Sequence, residues 1–193
     1  MSLVIRLLAP SDAQAYAEHL RLNHINSGSD GTPIYTVRSR TQPVDVDARA
    51  AACQLEWETP ISVQGWERAW GAFASDARGG SIVVGAVTLG TVRLHQSQMH
   101  RALLAMGIQK EYRGVGLGKR LMLEALNWAK CQPGIEWIDL GVFAHNAPAR
   151  ALYRRFGFCE IGRVVDCFRV DGHSVDDIVM TLALRDWDPI PRG

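Results

Sequence analysis

Residues 112–122, YRGVGLGKRLM, crowd three glycines and three basic residues into the start of an amphipathic segment. A glycine-rich turn leading from a strand into a helix leaves several backbone N–H groups at the positive end of the helix dipole, and such a turn binds phosphate. Glycine lets the backbone approach its ligand closely, while Arg113, Lys119 and Arg120 could neutralise a diphosphate from outside the turn. Two common nucleotide fingerprints are excluded. Lys119 interrupts Gly-x-Gly-x-x-Gly, and Arg120 stands where a phosphate-binding Gly-Lys-Ser/Thr loop needs a hydroxyl. His95 and His100 do not share a helical metal-ligand spacing, and Cys53, Cys131, Cys159 and Cys167 form no Cys-x-x-Cys pair. No metal site and no disulfide framework are therefore expected.

The elements that must position this turn lie on either side of it. Ahead of it, MHRALLAMGI (99–108) is apolar on both faces and reads as a central strand, with Gly107 marking a bulge or a close backbone approach. Behind it, Leu121, Met122, Ala125, Leu126 and Ala129 fall on one helical face until Pro133 and Gly134 stop the helix. IEWIDLGVF (135–143) is a further buried strand. NAPARALYRRFGF (146–158) is a helix capped by Asn146, with Pro148 in its first turn and Gly157 at its end. A final hairpin turns at Asp171 and Gly172.

Upstream, a short strand ends at Pro10, and Ser11 and Gln14 are spaced as a capping box for a first helix. Residues 26–46 gather Gly, Ser, Thr, Pro and Asp without periodicity, which reads as an irregular surface segment. A second helix is expected over 47–58 and a strand over 68–75, although Val63, Trp66, Trp70 and Phe73 also satisfy a helical period. DARGG (76–80) then turns the chain into the β-branched run 81–94.

With 193 residues, 47% of them apolar, one packed core is the expectation. Twenty-one basic residues face 20 acidic ones, so bulk charge suggests neither a nucleic acid nor a membrane surface as partner. No apolar stretch approaches the roughly 20 residues needed to cross a bilayer. With no basic segment followed by a long apolar run at the amino terminus, the reading expects a cytoplasmic protein with free thiols.

Arg113-x-x-Gly116-x-Gly118 resembles the Gln/Arg-x-x-Gly-x-Gly/Ala pyrophosphate turn of the GNAT superfamily of N-acetyltransferases. The likeness extends through ALLAMGI, NAPARALYRRFGF and FRVDGHSVDDIVMTL, covers residues 82–184, and is weak before Trp66. Within the superfamily the chain is most similar to small bacterial amino-acid and small-amine acetyltransferases. The resemblance implies an α/β fold with a mixed, mostly antiparallel central sheet flanked by helices, whose splayed central strands form the acetyl-CoA cleft. It implies a single acetyltransferase domain over 1–186, followed by a tail over 187–193.

The same resemblance implies roles for particular residues. Arg113, Gly114, Val115, Gly116, Leu117, Gly118 and Lys119 would hold the pyrophosphate. Met106, Gly107 and Ile108 would offer backbone groups to pantetheine and to the acetyl carbonyl, with a backbone N–H polarising the thioester. Asn146 would contact pantetheine, and Tyr153, two helical turns further on, would protonate the leaving thiolate. A phenol, protonated at neutral pH, can do this.

The general base stays open among His100, Glu111, Asp176 and Asp177. His100 is favoured because histidine titrates nearest neutrality, and the aspartates are expected to pair with neighbouring arginines. The resulting expectation is acetyl transfer from acetyl-CoA to the primary amine of a small molecule by direct attack in a ternary complex. It needs no metal, and the likeness allows a homodimer. Acetylation of protein amino termini or lysines, and a non-catalytic acyl-CoA-binding module, are the rival readings.

Overall fold

The computed structural model describes residues 3–29, 31–39, 41–75, 79–91 and 95–185. Its strands are β1 (Val4–Leu7), β2 (Glu67–Ser75), β3 (Ser81–Thr91), β4 (Arg101–Ile108), β5 (Trp137–Phe143), β6 (Cys159–Val170) and β7 (His173–Ala183). The helices are α1 (Ala13–Asn26), α2 (Val46–Glu58), α3 (Leu117–Lys130) and α4 (Ala147–Arg155). The strands form one sheet in the order β1-β2-β3-β4-β5-β7-β6, antiparallel throughout except for β4 beside β5. This is the mixed, mostly antiparallel sheet that the resemblance implies.

Each face of the sheet is covered by a helix pair. Tyr16 of α1 with Cys53 and Trp57 of α2 packs on Leu8, Phe73 and Val83. On the other face, Leu117, Leu121 and Met122 of α3 and Tyr153 of α4 pack on Trp70, Ile138, Leu140 and Met180. The period-3.6 stripe of α3 is buried throughout, from Leu117 to Ala129. That stripe fixes how the glycine turn ahead of it meets the sheet.

Local chemistry sets the boundaries, with some departures from expectation. α1 is opened by Asp12 rather than Ser11. The Asp12 carboxylate accepts from the Ala9 N–H (2.8 Å) and from Arg6 (2.6 and 2.8 Å), so the chain makes a 3₁₀ turn before the helix proper. Asp45 caps α2 through the Ala48 N–H (2.9 Å), and Asn146 caps α4 through the Ala149 N–H (3.2 Å). Asp171 and Gly172 both have positive φ, 48° and 80°, as the two central residues of a type I′ hairpin turn do.

β4 is central as expected, yet it is not covered on both faces, because Leu103 and Ala105 are exposed on the side of α1 and α2. The turn expected at DARGG falls partly on 76–78, the end of the 81–94 strand on 92–94 and the carboxy-terminal tail on 187–193. These lie outside the described residues. No helix among the described residues is long and apolar enough to cross a membrane.

Candidate active site

The three glycines of the turn serve different ends. Gly114 and Gly116 adopt φ of 76° and 81°, a left-handed backbone that disfavours any residue with a Cβ, although nothing lies within 4 Å of where that atom would be. Gly118 is instead a packing position: its Cβ would meet Leu152 Cδ2 at 3.0 Å and Ile108 Cδ1 at 3.4 Å. α3 thereby sits tight against β4 and α4. Gly116 is the N-cap and has no side chain to cap with, so the first-turn N–H groups of Leu117, Gly118 and Lys119 are left for an anion.

The basic residues divide as well. Arg113 Nε donates to the Ile108 carbonyl (2.8 Å), and its guanidinium lies 4.5 Å from the centroid of the Tyr35 ring. Lys119 is exposed at the start of α3. Arg120 faces away from the turn and donates to the Leu3 carbonyl at 3.0 Å, so it is not part of the phosphate group of residues.

Beside this turn the sheet opens. β4 and β5 pair only at Arg101, Ala102 and Leu103, opposite Trp137, Ile138 and Asp139. Past that point β4 stays with β3 to Ile108, and β5 stays with β7 to Phe143. Gln109 N–H donates to the Val84 carbonyl (2.9 Å), so the alternation of the antiparallel β3–β4 ladder turns the backbone groups of Leu104, Met106 and Ile108 towards β5. With the β4–β5 ladder already ended, the N–H and C=O of Met106 line the opening. The Ile108 carbonyl is taken by Arg113.

Gly107 marks a close approach rather than a bulge. Its register with Ala86 is uninterrupted, so there is no bulge, and its own backbone groups face β3. What it provides is space. A Cβ there would stand 2.8 Å from Asn23 Nδ2 and 3.7 Å from His19 Nε2, two α1 side chains hydrogen-bonded to each other at 2.8 Å. Both are buried, and Asn23 Oδ1 and His19 Nδ1 find no hydrogen-bond partner among the described residues. Burial pushes the His19 imidazole down to about 4, so it stays neutral at physiological pH.

Tyr153 is buried in the α3/α4 core with its ring 5.9 Å from Phe158. Burial raises its phenol to about 12, so it holds its proton across the physiological range and is available as a donor. Asn146 spends its side-chain oxygen on the α4 cap.

His100 is not brought to this group. It immediately precedes β4 at the paired end, where its carbonyl accepts from the N–H groups of Glu136 (2.8 Å) and Trp137 (3.2 Å). Seven residues of extended chain, roughly 23 Å, separate it from Gly107. Glu111 is exposed in the turn ahead of Arg113. Of the two aspartates, Asp176 pairs with Arg163 and accepts from the Asp166 N–H (2.8 Å), as expected, but Asp177 pairs with no arginine among the described residues and stands over Gly141.

The aperiodic α1–α2 connection also reaches the site. Tyr35 lies against Arg113, the Ile34 carbonyl accepts from His145 Nε2 (2.7 Å), and Ser39 Oγ donates to Asp171 at 2.5 Å in the β6–β7 turn. Nothing in its composition marks these contacts. A separate group of ligand-type side chains, Cys53, Glu56 and Glu67, lies between α2 and β2. Arg49 is inserted there, bonded to Glu56 at 2.9 Å and to Glu67 at 3.3 Å.

The chain belongs to the acetyltransferase (GNAT) family, whose model matches residues 35–158. It is 41% identical over 63 residues to the uncharacterized N-acetyltransferase YycN of Bacillus subtilis (strain 168), a stretch covering 33% of this chain and 40% of that one. It is 32% identical over 99 residues to the N-alpha-acetyltransferase RimI of Mycobacterium tuberculosis, covering 50% of this chain and 58% of that protein. The chain thus spans about half the length of the curated relatives it matches. Its fold matches the solved structure of yncA from Salmonella typhimurium with its cofactor acetyl-CoA, with a TM-score of 0.76, 19% identity and 98% of each chain covered.

Proposed function

We propose that the protein is an acetyl-CoA-dependent N-acetyltransferase of a small primary amine, acting by direct attack in a ternary complex, with residues 1–186 as one catalytic domain. The observation that carries this reading is the parting of β4 from β5 beside the uncapped start of α3. Acetyl-CoA presents a diphosphate, an amide-bearing arm and a thioester, and each has a chemically matched partner here. The N–H groups of Leu117, Gly118 and Lys119, with Arg113, suit the diphosphate. The Met106 N–H and C=O suit the arm and the acetyl carbonyl, which an N–H donor would polarise. The bound donor supplies an activated acetyl group and a thiolate leaving group, and Tyr153 gives that thiolate a proton.

The small-amine reading is supported by the connection between α1 and α2. It bridges from Arg113 past His145 to the β6–β7 turn, restricting the acceptor side in a way that suits a compact amine better than a polypeptide. The likeness to RimI favours a second reading, acetylation of a protein amino terminus.

One assay separates them. Coenzyme A release is followed by chromatography, so that the four cysteines are not read by a thiol dye, with amino acids, polyamines, aminoglycosides and short peptides as acceptors. Turnover of a free amine supports the first reading, and turnover confined to peptides supports the second. Silence across the panel together with measurable acetyl-CoA binding would favour a binding module.

A further inference from the structure

Asp176 and Asp177 are adjacent on β7 and point to opposite faces of the sheet by strand alternation. Asp176 is committed to Arg163 and to the Asp166 N–H. The Asp177 carboxylate makes no hydrogen bond or ion pair with any described residue. Opposite it in register stand Phe143 on β5 and Val164 on β6, both apolar.

The Asp177 carboxylate leans over β5. A Cβ built on Gly141 would lie 2.6 Å from Asp177 Oδ2 and 3.2 Å from Oδ1, so the carboxylate occupies the space a side chain at 141 would need. The backbone does not itself require glycine there, because Gly141 is not among the positive-φ glycines.

Gly141 lies two residues past Asp139, the last β5 residue paired with β4. Its neighbours Leu140 and Val142 face the α3/α4 core that holds Tyr153. Gly141 and the carboxylate over it therefore border the opening from the other face. Tyr153 lies in the core on one face of β5, and the Asp177 carboxylate stands over β5 on the other.

We infer that Asp177 is the general base, accepting the proton of the acceptor amine as it attacks, and that Gly141 is kept free of a side chain to seat it. This rests on the N-acetyltransferase reading above. The amine nitrogen bonds to the acetyl carbon and one N–H bond breaks, its proton passing to an Asp177 oxygen. As the carbon–sulfur bond breaks, the sulfur takes the Tyr153 proton. Asp177 then releases a proton to solvent and Tyr153 regains one, so amine and thioester become amide and thiol with nothing left over. Burial pushes the Asp177 carboxyl up, which makes its anion a better proton acceptor than an exposed aspartate.

The test compares wild type with Asp177→Asn, Asp177→Ala and Gly141→Ala, using an amine that the wild type acetylates. Asp177→Asn should lower kcat about 100-fold, with acetyl-CoA Kd and acceptor KM within about threefold. Added formate should restore part of the activity of Asp177→Ala. Gly141→Ala retains the carboxylate but displaces it, and should lower kcat at least tenfold even if Asp177→Asn folds poorly. Wild-type kcat in both Asp177→Asn and Gly141→Ala, or a loss confined to KM, overturns the assignment while leaving the acetyltransferase reading intact. Absence of turnover in the wild type with every amine overturns both.

Discussion

The two ends of the β4–β5 pair are built from the same two strands and do opposite things. At the paired end, Arg101 makes two hydrogen bonds to Asp139 (2.6 and 2.5 Å), lies 5.0 Å from the Trp137 ring centroid and also donates to Thr181 at 3.1 Å. The His100 carbonyl is shared by two β5-side N–H groups. At the other end, the Met106 backbone groups face a strand that has moved away, with the Asp177 carboxylate over Gly141 on one face of β5 and Tyr153 in the core on the other. Polar groups satisfied by one another hold the sheet together, whereas groups left unsatisfied are available to a ligand. Closure at one end fixes where the strands begin to diverge.

If that contrast is right, substitutions at the open end change turnover or affinity, and substitutions at the paired end change stability. The largest effect is expected for Tyr153→Phe. Steady-state kinetics should show kcat down about 100-fold, a little under 3 kcal/mol, with acetyl-CoA affinity unchanged. Equal loss of both, or of neither, would remove Tyr153 from the role of acid.

Arg101→Ala should cost about 2 kcal/mol of stability by stranding the half-buried Asp139, and scanning calorimetry should find Tm lower by roughly 4–8 °C. Burial opposes ionisation of Asp139, but its bonds to Arg101 and Thr181 outweigh that and hold its carboxyl below the ordinary range. A depressed carboxyl contributes stability above its unfolded pKa and loses it as pH falls through the folded one. The gap between wild type and Arg101→Ala should therefore narrow as pH falls below about 4. A gap independent of pH would show that Asp139 gains nothing from the pair.

Gly116→Ala places a side chain at φ of 81° and should cost about 1–2 kcal/mol, read in calorimetry as roughly tenfold weaker acetyl-CoA binding. An unchanged Kd would mean that the turn does not hold the diphosphate. His100→Ala is the smallest change: kcat/KM should stay within about twofold, because the residue lies beyond the paired end. A larger fall would bring the closed end into the chemistry.

What was legible beforehand followed from local rules. The stripe from Leu121 to Ala129 required a helix on the sheet, Asn146 with Pro148 marked the start of α4, and Asp171–Gly172 supplied the two positive-φ residues of the hairpin. The glycine turn was visible for the same reason, since its conformation is encoded in its own residues.

Non-local facts were not visible. An Asp-Asp pair shows that one carboxylate lies on each face, but only the sheet reveals that Arg163 and the backbone at Asp166 take Asp176 and leave Asp177 without a partner among the described residues. Where the β4–β5 ladder stops leaves no periodic trace in either strand, so the end of β4 that carries His100 could not be told from the open end. The α1–α2 connection has no periodicity at all. Its contacts through Ile34, Tyr35 and Ser39 depend on partners 78 or more positions away.

The most direct test of the contrast between the two ends is a titration of isotope-labelled protein with acetyl-CoA, followed amide by amide by NMR. The account predicts large shifts at Met106 and Leu117 to Lys119, with Arg101 to Leu103 and Trp137 to Asp139 nearly still. Shifts concentrated at the paired end, or none at the start of α3, would contradict it.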